Sequence, residues 1–143
     1  METPALCSLL ADRGVRITRQ RRIVLDLLEN TPGHVTASTL LRVASQVDPG
    51  INRATVYRTL ALLKAEGLID ELDLMHLAGA EHYYERRRVR VHVHIGCTSC
   101  GRIIEMETDH VERLLGEVRR KTGFAPEWAR VEVGALCPAC RKA

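Results

Sequence analysis

The sequence predicts an α+β fold in two halves, and three observations predict it. Between residues 4 and 66, apolar residues recur at helical spacing in four successive segments, broken by Gly14, Pro32-Gly33 and Asp48-Pro49-Gly50. Two strand-like stretches, LIDELDL and EHYYE, follow directly. The remainder alternates short strand patterns with a single helix and holds two C-x-x-C pairs. At 143 residues, 45% hydrophobic and 27% charged, the chain suits one ordinary domain or two small ones. That balance excludes a disordered chain, and the length excludes a large multi-domain enzyme.

The first helix is expected from Pro4 to Asp12, with Gly14 as its stop. Thr18 is a good N-cap for the second, whose Ile23, Val24, Leu27 and Leu28 fall on one face. Thr36 or Ser38 starts the third, carried by Leu40, Leu41, Val43 and Ala44. The fourth runs from about Asn52 to Glu66, with Val56, Leu60 and Leu63 inward and Gly67 as its C-cap. LIDELDL and EHYYE then form a hairpin through MHLAGA, with Gly79 in the turn region. Helices of this size before a small hairpin predict a winged helix-turn-helix.

The arginine-rich RRRVR reads as a hinge, placing the halves at residues 1–85 and 91–143 around 86–90. Beyond it come a strand through His94, the CTSC knuckle and a strand through RIIEM. A helix follows from about Thr108 to Thr122, with Val111, Leu114, Leu115 and Val118 inward and Gly123 past its end. RVEVGAL is the last strand, before CPAC. There is no internal repeat and no low-complexity segment.

The net charge of +3 is mild, but its distribution is uneven. Arg13, Arg16, Arg19, Arg21 and Arg22 crowd one stretch, and Arg86, Arg87, Arg88 and Arg90 another. Such clusters are the footprint of an anionic partner, nucleic acid first, or else a solvated arginine face. Aromatic residues are only 3%, which argues against base-stacking platforms for single strands. No apolar run is long enough to span a bilayer, so no membrane partner is expected. METPALCSLLADRG lacks the basic start and long apolar stretch of a signal peptide, so a cytoplasmic protein is expected.

Of the five cysteines, Cys97, Cys100, Cys137 and Cys140 form the two C-x-x-C pairs. In a chain without a secretory signal, disulfides are disfavoured and such pairs read as metal ligands. Four thiolates are what a closed tetrahedral Zn2+ site needs. The competing readings are redox pairs or reduced core cysteines. A thioredoxin-type pair would have to open a helix after a strand, and neither pair clearly has that context. Cys7, among Leu6, Leu9 and Leu10, reads as a small buried hydrophobe.

With Val56, Leu60 and Leu63 inward, the fourth helix leaves Arg53, Thr55, Tyr57 and Arg58 on or near its open side. Arginine pairs with guanine or phosphate, and a tyrosine ring can contact a thymine methyl. The alternative is an ordinary polar helix face. In R-V-H-V-H-I-G-C, strand alternation puts His92 and His94 on one face, where two imidazoles can grip one ion. Glu85 and Glu105 offer oxygen, and His34 lies in the loop before the third helix. A mixed nitrogen and oxygen set suits iron, manganese or zinc. The alternative is a pair of exposed strand histidines.

These residues resemble the ferric uptake regulator family of bacterial metal-dependent repressors, over nearly the whole chain. The most specific pieces are T-x-x-R at Thr18 and Arg21, INRATVYRTLALLKAEGLI, and HVHIGCTSCGRIIEM with the terminal C-x-x-C. The resemblance implies a homodimer, each subunit having an N-terminal winged helix and a C-terminal α/β dimerisation domain. It implies structural Zn2+ on Cys97, Cys100, Cys137 and Cys140. It implies a regulatory metal on His34, Glu85, His92, His94 and Glu105. DNA contacts would fall on Tyr57 and Arg58, with Arg16 reaching the minor groove. Many members carry a further metal site, but Val91 and Val93 stand at its interleaved positions and Ala129 where a histidine is expected, although Glu112 remains. Two metals per subunit are therefore expected rather than three.

The expected function is a metal-dependent repressor that binds palindromic double-stranded operators as a homodimer. Fe2+ is the first expectation for the sensed ion, with Mn2+, Zn2+ and peroxide sensing as alternatives. Peroxide sensors of the family often have aspartates where Glu85 and Glu105 stand, and zinc sensors often use a regulatory cysteine. The competing classes are a zinc hydrolase using His92, His94 and a glutamate, and an interaction module without DNA binding. No HExxH or comparable motif supplies a general base, so the chain is not expected to be an enzyme.

Overall fold

The computed structural model describes residues 4–73, 81–88 and 90–142, which form two compact units. The first holds residues up to 73 together with 81–87, and the second holds 88 onward. The expected turn through MHLAGA with Gly79, and Val89 of the expected hinge, lie outside the described residues.

The first unit begins with α1 (Leu6–Asp12), α2 (Arg19–Asn30), β1 (Val35–Thr36), α3 (Ala37–Val47) and α4 (Arg53–Ala65). The strands β2 (Ile69–Leu72) and β3 (Tyr83–Arg86) complete it. The helix starts are set by side-chain caps. Thr18, Thr36 and Asn52 accept from the backbone N–H groups of Arg21, Thr39 and Thr55, satisfying donors that the helices leave orphaned. Thr36, rather than Ser38, therefore opens α3. Gly67 follows α4 at φ +66°, a conformation that favours glycine.

Periodicity places the core. Leu6 and Leu10 of α1, Val24 and Leu25 of α2, Leu40 and Ala44 of α3, and Val56, Leu60 and Leu63 of α4 are all buried together. The three strands form an antiparallel sheet in the order β1-β3-β2, with Val35 opposite Tyr84 and Ile69 opposite Arg86. Four helices and this small sheet make the expected winged helix-turn-helix. β1 was not expected, because two residues leave no periodicity to read.

The second unit contains β4 (Val93–Cys97), β5 (Ile103–Met106), α5 (Asp109–Thr122), β6 (Val131–Ala135) and α6 (Pro138–Arg141). β4 lies in the middle of the sheet, antiparallel to β5 and parallel to β6, with α5 as the crossover. Thr108 caps α5, acids occupy its first turn and Arg119, Arg120 and Lys121 its last, matching the helix dipole. Gly123 ends it at φ +75°.

Three expectations need correction. Leu114 does not face inward: it is 55% exposed, and among the residues of α5 only Val111 is buried. The apolar stripe of the helix is thus wider than the surface this chain offers it. CPAC does open a helix after a strand, since Cys137 follows β6 and its sulfur accepts from the N–H of Cys140 at the start of α6. RRRVR is not uniformly a hinge either. Arg86 pairs within β3, and the Arg87 N–H donates to the Leu68 carbonyl, because the wing strand continues one ladder step further than its arginines suggest. Among the described residues, no helix is long and apolar enough to cross a membrane.

Candidate metal centres and nucleic-acid interface

The β4–β5 turn and the end of β6 bring the two C-x-x-C pairs together. The sulfurs of Cys97, Cys100, Cys137 and Cys140 all lie within 4.8 Å of one another. Backbone N–H groups of Cys100, Cys137 and Ser99 aim at Cys97 and lower its thiol to about 6. The Cys140 N–H lowers Cys137 in the same way. Cys140 is raised to about 11, because the Ser99 hydroxyl, which lowers it, is outweighed by the neighbouring sulfurs of Cys137 and Cys100 and by burial. Four sulfurs this close can be thiolates together only with a cation among them, since otherwise one lowered thiol raises its neighbour. The donor set fits tetrahedral Zn2+.

The nitrogen and oxygen donors fall in both units. In the first, the His34 imidazole Nε2 lies 3.0 Å from Glu85 Oε2, and both side chains are buried. In the second, sheet register decides the faces. Val93 lies opposite Met106 and Val131, and Ile95 opposite Ile104 and Val133, so one face is apolar. His94 lies between Glu105 of β5 and Glu132 of β6 on the other face. His92 and His94 are both buried, their ring centroids 4.5 Å apart. Glu132 was missed in the sequence, because only the parallel β4–β6 register sets it beside His94. Its carboxylate holds Arg130 at 2.9 Å.

The linker arginines are taken up by carboxylates. Arg86 donates to Glu29 at 3.1 Å and to the Pro4 carbonyl, and Arg87 donates to Asp70 at 2.7 Å. Arg88 pairs with Glu105 at 2.7 Å, and Arg90 approaches Glu112 at 4.0 Å. This second arginine cluster is therefore no open basic patch. Its charges are largely balanced within the chain.

On α4, Arg53, Tyr57 and Arg58 are exposed, and the Arg53 guanidinium sits 5.2 Å from the Tyr57 ring centroid. Thr55 is less open than these three. It is half-buried, and both its N–H and its hydroxyl bond to Asn52 Oδ1, so it belongs to the helix cap. Arg16 is exposed before α2, and its carbonyl accepts from the Arg21 guanidinium.

The model of the ferric uptake regulator family matches residues 12–134. The chain is 37% identical over 120 residues to the ferric uptake regulation protein of Brucella abortus, covering 84% of this chain and 83% of that one. It is 36% identical over 128 residues to the zinc uptake regulation protein of Mycobacterium tuberculosis, covering 90% and 96%. Among solved structures, a zinc uptake regulator complexed with zinc and DNA aligns with a TM-score of 0.67 at 26% identity, covering 99% of this chain and 97% of that one.

Proposed function

The chain belongs to the ferric uptake regulator family, and on that premise we propose that it is an iron-responsive repressor that binds palindromic operators as a homodimer. Members of that family are metal-responsive transcription regulators, not enzymes, and this chain is one of them. The observation that carries the proposal is the division of the donor set. The first unit holds His34 against Glu85, while the second sets His92, His94 and Glu105 on one side of its sheet.

Imidazole and carboxylate donors fit Fe2+, Mn2+ and Zn2+. The absence of cysteine from the set and glutamate at both carboxylate positions favour iron. Bound there, the ion supplies the positive charge that lets buried carboxylates and imidazoles share one centre. His34 and Glu85 would hold it from the unit that carries α4, and His92, His94 and Glu105 from the other. The ion can favour the DNA-binding form of the chain only through a higher affinity for that form. Arg53, Tyr57 and Arg58 of α4 would read a major-groove half-site, with Arg16 at the adjacent backbone or minor groove. Cys97, Cys100, Cys137 and Cys140 would hold structural Zn2+.

The apolar sheet face and α5 support the homodimer. Ile104, Met106 and Val133 are exposed on one side of the sheet, and Leu114 is exposed on α5. A second copy of the chain would cover such a surface by self-complementary contact. The halves proposed for DNA binding and for dimerisation are residues 1–85 and 91–143.

The test is duplex binding titrated separately with Fe2+, Mn2+ and Zn2+, on protein whose thiolate-bound zinc has been quantified. Salt-sensitive binding to a palindromic duplex that requires Fe2+ at lower concentration than the others supports the reading. Binding indifferent to all three ions overturns it.

A further inference from the structure

Arg88 distinguishes this chain's regulatory site from a bare set of ligands. Its guanidinium lies 2.7 Å from Glu105, one of the five residues assigned to the sensed ion. Glu105 is mostly buried, its side chain 20% exposed, and it lies opposite His94 across the β4–β5 ladder. Arg88 itself is about half exposed, at the start of the second unit. The neighbouring arginines are committed elsewhere, Arg86 to Glu29 and Arg87 to Asp70, so each takes a separate carboxylate. Arg88, by contrast, reaches a carboxylate of the donor set.

We propose that Arg88 is an internal competitor for the regulatory metal, neutralising Glu105 in the metal-free chain and thereby setting the ion concentration at which the protein responds. This rests on the assignment of Glu105 as a ligand made above. A guanidinium and a divalent cation compete for the same oxygens, and the residual positive charge beside the site repels the ion. Both effects act in one direction, toward weaker binding. A carboxylate oriented by Arg88 while bound to the ion would act in the opposite direction, because loss of a group that orients a ligand weakens the site. The two roles therefore predict opposite signs.

The experiment is equilibrium titration of the full, zinc-loaded chain with Mn2+, free ion being followed by electron paramagnetic resonance. Arg88→Ala and Arg88→Gln are each expected to bind Mn2+ about 5-fold more tightly than the parent, the scale of one partly exposed ion pair plus relieved repulsion. Arg87→Ala removes the same charge from Asp70 and is expected to stay within about twofold of the parent. Glu105→Gln is expected to weaken binding about 10-fold or more. If Glu105→Gln binds like the parent, the ligand assignment fails and the competitor role fails with it. If Glu105→Gln weakens binding while both Arg88 variants bind equally or more weakly, the assignment stands and the competitor role is overturned. Equal tightening by Arg87→Ala overturns it too, since the effect would then be general charge.

Discussion

His34 and Glu85 form a buried pair, imidazole Nε2 to carboxylate Oε2 at 3.0 Å, beside the two-residue pairing of β1 with β3. Val35 lies opposite Tyr84 in antiparallel register, so the next step of that ladder brings residues 34 and 85 face to face. A two-residue strand thus unites donors that are far apart in sequence.

Removing that imidazole would leave the proposed metal centre incomplete. His34→Ala is expected to lower Mn2+ affinity at least about 10-fold and to abolish metal-dependent duplex binding, with His92→Ala behaving alike. Zinc content and far-UV circular dichroism should stay at parental values. Parental duplex binding by His92→Ala, with or without added metal, is the result that rejects the proposed mechanism.

The thiolate cluster makes a different demand. Because a structural zinc site contributes folding free energy, Cys97→Ser is expected to lose bound zinc and either unfold the second unit or release the dimer. Zinc analysis with analytical ultracentrifugation checks this. A stable dimer of the serine variant would contradict it.

Glu71 ties the wing to α4 and gives the first unit an acid-sensitive component. Burial pushes its carboxyl up, but hydrogen bonds from Lys64 and His82 outweigh that and hold it below its ordinary value. A group depressed on folding adds stability above its unfolded value and loses it as pH falls through the folded one. Glu71→Gln is therefore expected to cost about 1 kcal/mol at pH 7, and less at an acidic pH that has fallen through the folded value. Denaturant melts at both pH values measure the difference, and an equal loss at both would refute the ion-pair origin.

Leu114→Glu places a charge on the exposed stripe of α5. It is expected to turn dimers into monomers at micromolar concentration while leaving the helix intact, since Leu114 is not part of this chain's own core. Light scattering reports the mass, and a dimer of unchanged affinity would remove α5 from the proposed interface.

Much of the fold was legible because its signals are local. Thr18, Asn52 and Thr108 announce helix starts within three residues, and Gly67 and Gly123 mark stops. Leu114 was misread because a helical stripe tells which side is apolar, not what covers it. Spacing puts Thr55 on or near the open side of α4, and only the structure shows its N–H and hydroxyl bonded to the Asn52 cap.

Spacing along the chain already sets the order of the four helices and two wing strands and the pairing of the cysteines, because those signals are local. Tertiary structure alone decided which partners meet. Strand register placed Glu132 beside His94 and an apolar row on the opposite face, and folding distributed Arg86, Arg87 and Arg88 among Glu29, Asp70 and Glu105. The physical reason is range. Caps and periodicity act over a few residues, whereas ion pairs and sheet neighbours join segments whose separation in sequence carries no mark of their contact.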